Sequence, residues 1–215
     1  MRILITAGGT REYIDPVRFI SNASSGKMGY ALARSALKAG HKVTLISASD
    51  LQPPVGIDFV GVDSAAEMFE AVKKHFPKCD CLIMAAAVAD YTPAYPSKTK
   101  IKRTNKSLTI KLKPTPDILK WACEHKNEGR GTRDEGRIVV GFALEDKNLR
   151  VNAEKKLKEK NLDMIIANTP GAIGADKSTV HIKNSAASWI EIKNAAKTTI
   201  AKKIISLSEK LIPRN

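Results

Sequence analysis

Cysteine is scarce in this chain: Cys79, Cys81 and Cys123 are the only three in 215 residues. An odd number with no second Cys/His cluster excludes a disulfide framework, and Cys79-x-Cys81 at the head of an apolar run reads as small buried hydrophobes rather than a metal site. No apolar run approaches the ~20 residues needed to cross a bilayer, and Met1 leads straight into a core strand rather than a signal peptide. The expectation is a reduced, cytoplasmic, soluble protein with no membrane partner. The G-x-x-x-x-G-K-[ST] phosphate loop is missing too, because Gly26-Lys27 is followed by Met28 and lacks the upstream glycine. None of Tyr13, Tyr30, Tyr91 and Tyr95 has a lysine four residues on, which counts against reductive chemistry built on a Tyr/Lys pair. Asp50 has the spacing from Gly29 of a ribose-binding acid, yet it falls in a Pro-rich turn beyond the strand. His41, His75, His125 and His181 all lie outside the loops that carry the glycines and arginines, so no Ser-His-Asp set is suggested.

Acidic residues are also in deficit, 22 against 36 Lys+Arg, for a net charge of +14. A positive surface favours anionic partners. The excess concentrates in Lys98, Lys100, Lys102, Arg103, Lys106, Lys111 and Lys113, a stretch with no acid among them. It contains no aromatic residue to stack single strands and no helical periodicity for a groove-reading helix. Polyphosphate substrates therefore fit better than nucleic acid, with a solvated basic loop as the bland alternative.

What is present is an alternation of apolar runs and amphipathic stretches. Ile3–Thr6, Lys42–Ser47, Asp80–Ala86, Ile138–Phe142 and Met164–Ala167 read as strands buried on both faces. Helical patterns lie at Lys27–Ala39, Ser64–Phe76, Pro116–His125 and Leu149–Lys160, which makes the sheet parallel and covered on both sides. Ser24 and Ser25 are N-cap candidates for the first helix, and Gly40 follows its end. Thr179–Lys183 and Ser188–Ile192, joined around Asn184-Ser185, predict an antiparallel hairpin added to the sheet. A last helix from about Asn194 to Ile212 carries Ile200, Ile204, Leu207 and Leu211 on one stripe and stops at Pro213. The fold class is α/β: one Rossmann-like domain over residues 1–215 with a mostly parallel central sheet, helices on both faces, a C-terminal antiparallel hairpin and a basic loop insertion at about 90–113. That insertion is expected to be mobile until an anion neutralises it.

The most informative stretch is the first strand, Ile3 to Thr6, with the loop through Gly8, Gly9, Arg11, Arg18 and Asn22 to the helix start at Ser24-Ser25-Gly26-Lys27-Met28-Gly29. Unpaired N–H groups and the dipole of a helix start favour an anion. Four segments together resemble phosphopantothenoylcysteine synthetase: Ile20-Ser21-Asn22-Ala23-Ser24-Ser25-Gly26-Lys27-Met28-Gly29, Ala85-Ala86-Ala87-Val88-Ala89-Asp90-Tyr91, Lys100-Ile101-Lys102-Arg103, and Pro116-Asp117-Ile118 with Val140-Gly141-Phe142-Ala143. The likeness runs on through Lys160-Asn161-Leu162-Asp163-Met164-Ile165-Ile166-Ala167-Asn168.

This resemblance implies a ligase of coenzyme A biosynthesis that moves a nucleotidyl group onto the carboxylate of 4′-phosphopantothenate, releases pyrophosphate, and lets the amine of L-cysteine displace the nucleotide monophosphate. It implies the stand-alone form without a decarboxylase domain, hence no flavin, and a cytoplasmic homodimer with each site completed by its neighbour. By the same resemblance Asn22 holds the acyl-nucleotidyl intermediate and Lys100 is the catalytic lysine. Arg18, Ser24, Gly26 and Lys102 bind the acid substrate, with an Asp15 or Glu12 ion pair the alternative for Arg18. Gly8, Ala87, Asp117, Ile118, Phe142, Lys156, Lys160 and Asn168 hold the nucleotide, and Asp90 binds Mg²⁺. The opening motif resembles the bacterial CTP-using branch, so CTP is expected, with ATP the alternative. Two departures, Lys113 before Pro114 and Thr169 after Asn168, bear on base selection.

Overall fold

The computed structural model describes residues 1–129, 136–185 and 187–212. In chain order the elements are β1 (Arg2–Ala7), β2 (Arg11–Tyr13), β3 (Phe19–Ser21), α1 (Lys27–Lys38), β4 (Lys42–Ser47), β5 (Asp58–Gly61), α2 (Ala65–His75), β6 (Cys81–Met84), β7 (Tyr91–Pro93) and β8 (Leu112–Pro114). There follow α3 (Ile118–Glu124), β9 (Ile138–Leu144), α4 (Leu149–Glu159), β10 (Met164–Asn168), β11 (Lys177–Asn184), β12 (Ile190–Ala196) and α5 (Lys197–Leu211).

Eight strands form one sheet in the order β12-β11-β10-β9-β6-β1-β4-β5. The pairs from β5 across to β10 are all parallel, and β11 and β12 close the far edge antiparallel. The expected architecture is therefore present. The interior strands β1, β6, β9 and β10 are near-continuous apolar runs because helices cover both faces. Tyr30, Leu32 and Ala36 of α1 pack with Ile200, Ile204 and Ile205 of α5 on one face. Met68 and Val72 of α2, Ile118 and Ala122 of α3, and Ala153 and Leu157 of α4 cover the other. Each such aliphatic side chain contributes about 1.5–3 kcal/mol by leaving water. All three cysteines are buried in this core. Burial pushes the Cys123 thiol up to about 12 and the Cys81 thiol higher still.

Several expectations need correcting. The strand read as Asp80–Ala86 is shorter, Cys81–Met84, because Ala85 to Val88 turn away from the sheet toward the first loop. Neither Ser24 nor Ser25 caps α1: its N-cap is Gly26 at φ 75°, and no side chain accepts there. The hairpin strands are longer than expected, and α5 begins at Lys197 because the chain from Ile190 to Ala196 is strand. Its buried stripe is Ile200, Ala201, Ile204, Ile205 and Ser208, with Leu207 and Leu211 only half-buried. Pro213 lies outside the described residues. Two short hairpins are additional: β2 pairs with β3, and β7 pairs with β8 at the two ends of the basic insertion.

One contact sets how closely α1 approaches the sheet. A Cβ on Gly29 would lie 2.5 Å from the Ala7 Cβ and 3.0 Å from the Thr6 carbonyl oxygen. Only a glycine allows that approach, and it brings the start of α1 down onto the carboxyl end of β1.

Candidate active site

The strand order reverses direction between β1 and β6, and in open α/β sheets ligands gather at the carboxyl ends beside such a switch. The loops leaving these two strands are stitched together there. Ala87 N–H donates to the Gly8 carbonyl (2.8 Å), Thr10 N–H to the Ala87 carbonyl (3.3 Å), and Ala89 N–H to Thr10 Oγ1 (2.9 Å). Gly8, at φ 85°, is required because a Cβ would meet the Ala48 and Ser49 backbone at 2.7 Å. Asn22 Nδ2 donates to the carbonyls of Ala87 and Val88, both at 3.1 Å. Its amide hydrogens are thus engaged with backbone, and its Oδ1 is the polar atom with no partner among the described residues.

Above this seam lies a cavity of about 600 Å³. It brings together Asn22, Ser24, Gly26, Ala87, Asp90, Asp117, Ile118, Phe142, Lys156, Lys160 and Asn168. These eleven come from six separate stretches of chain, which only the sheet's carboxyl edge makes neighbours.

Two lysine pairs line the cavity, one from each face of the sheet. On the α4 side, Lys160 Nζ donates to Asp117 Oδ2 (2.7 Å), while Asp117 Oδ1 caps α3 by accepting from Lys120 N–H (2.9 Å). Burial works to raise the Asp117 carboxyl, but Lys160 and the cap together hold it below the usual carboxylate range. Lys156 Nζ donates to the Phe142 carbonyl (2.9 Å). Burial, then Lys160, lowers the Lys156 ammonium from its ordinary value. On the α1/α5 side, Lys27 pairs with Asp176 (3.0 Å) and Lys197 Nζ donates to the Ala172 carbonyl (3.2 Å). Lys197 is also lowered, by burial and by Lys27. Neither α1 nor α5 has a side-chain cap, and the first N–H of α5, at Lys197, donates to the Asp176 carbonyl (3.3 Å).

Four candidates are not in the cavity lining. Gly8 lies beneath it as the hinge of the first loop. Arg18 is engaged by Asp15 and by the Ile101 carbonyl, so the structural ion pair is what the chain forms. Lys100 and Lys102 are exposed on the segment that follows β7 and do not line the cavity of this single chain. Conversely, Lys27, Lys197 and Thr115 line it without having been assigned to the site. Lys27 sits inside the opening motif and was legible as an anion ligand at a helix start. Lys197 carries no local signal, because the packing of α5 on α1 alone brings it there.

Asp90 is exposed at the rim, near enough to Lys156 to raise its ammonium electrostatically. Among the described residues no group of three or more His, Cys, Asp or Glu could hold a metal. A single carboxylate still suits Mg²⁺ that takes its other oxygens from substrate phosphates and water.

The family model for the DNA/pantothenate metabolism flavoprotein C-terminal domain matches residues 1–211. The chain belongs to this family. It is 47% identical over 175 residues to the coenzyme A biosynthesis bifunctional protein CoaBC of Bacillus subtilis (strain 168), covering 80% of this chain and 41% of that protein. The chain spans about half the length of the curated relatives it matches. A crystal structure of the C-terminal domain of a CoaBC protein superposes with a TM-score of 0.80 at 40% identity, covering 98% of this chain and 95% of that one. A DNA/pantothenate metabolism flavoprotein from Streptococcus pneumoniae superposes at 0.82 with 26% identity, covering 98% and 99%. As a member of this C-terminal domain family, the chain shares its mostly parallel sheet with antiparallel hairpins. Among the described residues no helix is long and apolar enough to cross a membrane.

Proposed function

We propose that the chain is a phosphopantothenate–cysteine ligase acting in coenzyme A biosynthesis, in the cytoplasm, with CTP as the nucleotide. The observation that carries this reading is the cavity at the β1/β6 switch, where lysines from both faces of the sheet converge beside small residues and the carboxylates of Asp90, Asp117 and Glu145. A carboxylate does not react with an amine at neutral pH without a leaving group. The acid's carboxylate oxygen bonds the α-phosphorus, pyrophosphate departs, the cysteine amine then attacks the acyl carbon, and nucleotide monophosphate leaves as the amine gives up a proton. Gathering a triphosphate, a phosphomonoester and a carboxylate requires preorganised cations and donors to offset their repulsion.

In this reading Asp117, Ile118 and Phe142 frame the base, with Ala87 and Asn168 beside it, and Lys156 and Lys160 receive the triphosphate. Ser24 and Gly26 present the α1 start to the acid substrate. Asn22, its amide fixed by Ala87 and Val88, steadies the acyl-nucleotidyl intermediate. Asp90 is the protein ligand for Mg²⁺, which offsets the charge of the triphosphate when bound. Lys100, with Lys102, supplies charge from the segment outside this cavity, and a homodimer lets that segment serve a neighbouring site. The exposed Tyr13, Val17 and Phe19 of the first hairpin and Tyr91 and Tyr95 of the second favour such an interface.

Pyrophosphate release with 4′-phosphopantothenate, Mg²⁺ and either CTP or ATP, with and without L-cysteine, tests the reading. The expected result is release that needs the acid substrate, prefers CTP, and falls about 10²–10³-fold in Lys100→Gln. Release unaffected by Lys100→Gln discards the lysine assignment, and equal rates with ATP discard the CTP assignment.

A further inference from the structure

The segment bearing Lys100 and Lys102 is fastened to the body of the protein at the residue between them. Ile101 N–H donates to Asp15 Oδ2 (3.1 Å), and the Ile101 carbonyl accepts from Arg18 Nη2 (2.9 Å). Asp15 is 1% exposed. Its Oδ1 accepts from the N–H groups of Val17 and Arg18, each at 2.9 Å, which forms the turn between β2 and β3. Its Oδ2 takes Ile101 together with the Arg18 guanidinium, through Nε (3.0 Å) and Nη2. The two oxygens thus divide two tasks: one closes a turn, the other holds a loop. A second tie lies close by, where Ser97 N–H donates to the Ile14 carbonyl (2.8 Å).

We infer that Asp15 is a positioning residue for carboxylate activation, fixing through Ile101 the peptide that joins Lys100 to Lys102. This rests on the reading of Lys100 as the catalytic lysine. Lys100 belongs to a run with no regular secondary structure between Lys100 and Lys111. An untethered lysine there would have to give up backbone freedom each time it met the reacting phosphate. Clamping both polar groups of the adjoining residue removes most of that freedom beforehand, leaving the side chain to adjust. Arg18 is then part of the same clasp, oriented by Asp15 on one side and bound to the loop on the other.

The test compares wild type, Asp15→Asn, Ile101→Pro, Lys100→Gln and the Asp15→Asn/Lys100→Gln double variant in the intact protein. Asparagine keeps one acceptor for the turn but presents an NH₂ where Ile101 needs an acceptor. Ile101→Pro removes the donated N–H and leaves the buried Asp15–Arg18 pair in place, while also fixing φ at 101 and restricting the Lys100 backbone. Asp15→Asn and Ile101→Pro are each expected to lower kcat by about ten- to a hundredfold while KM for CTP stays within about twofold. Hydrogen exchange at the Ile101 amide should speed up in Asp15→Asn while amides in α1 and β1 exchange as in wild type. Asp15→Asn should add nothing to the residual rate of Lys100→Gln, because both act through the same group. Wild-type kcat in both single variants overturns the inference, as does an Asp15→Asn loss that persists in full on the Lys100→Gln background. Should Asp15→Asn fail to fold, wild-type kcat in Ile101→Pro still overturns the inference. If Lys100→Gln keeps wild-type turnover, the catalytic-lysine reading fails and takes this inference with it. An enzyme that depends on Lys100 but ignores both clasp variants loses this inference only.

Discussion

Lys156 and Lys160 of the cavity each have an oxygen fixed within hydrogen-bond reach, the Phe142 carbonyl and the Asp117 carboxylate. The lysines between Lys98 and Lys113 are exposed, and none forms an ion pair among the described residues. The first pair stands on a helix packed against the sheet, so its geometry exists before any ligand arrives. The second group hangs from a segment anchored at its β7/β8 ends and at Ile101. In the ligase reading, cations built on the sheet should express themselves in ground-state affinity, whereas cations on the segment should act on the chemical step.

The comparison can be broken most forcefully at α4. Lys156→Met is expected to raise the KM for nucleoside triphosphate about ten- to a hundredfold, the worth of a charged hydrogen bond, with kcat little changed. Because burial already disfavours the Lys156 ammonium, the same variant should not lower the thermal midpoint. A drop in kcat with KM unchanged would place Lys156 with the segment lysines instead. Smaller in effect is Gly29→Ala, which pushes a methyl against Ala7 and the Thr6 carbonyl. It should cost about 1–3 kcal/mol and move the melting midpoint by roughly 3–10 °C, while Leu108→Ala in the basic segment moves it by less than about 2 °C. Differential scanning calorimetry of the two variants decides this.

The smallest effect is a pH dependence. The Arg18 guanidinium, with help from the turn N–H groups, holds the Asp15 carboxyl well below the usual range. A depressed folded-state value means its contribution is complete above the ordinary carboxylate pKa, near 4, and disappears only as pH falls through the lower, folded value. Protection of the Ile101 amide, followed by hydrogen exchange, should therefore survive to about pH 4 and weaken in more acid solution. Protection lost between about pH 6 and 5 would assign the clasp to some other group.

Much of this molecule can be read from sequence because its core follows simple rules. Ile3 to Thr6 and Met164 to Ala167 are strands since continuous apolar runs suit a sheet covered on both sides. The β2–β3 and β7–β8 hairpins escape notice because strands of three residues are too short to carry a detectable period. β5 escapes for a related reason: Asp58–Gly61 is an edge strand with one partner and no fully buried residue. In the site, Asp117 and Ile118 could be recognised from their motif, but the pairing of Asp117 with Lys160, 43 residues on, is set by where α4 docks. Arg18 was ambiguous between substrate and Asp15 because sequence cannot say which anion reaches it first. The fold answers with the buried carboxylate three residues away.

The three buried thiols have a practical meaning. With Cys79, Cys81 and Cys123 enclosed and Cys81 and Cys123 held protonated, the folded chain offers no reactive sulfur to cystine, to mixed disulfides or to maleimides. A cysteine introduced at Lys106 would therefore be the single labelling site on an otherwise unaltered protein. A fluorophore there would report in real time whether the basic segment responds to an added anion.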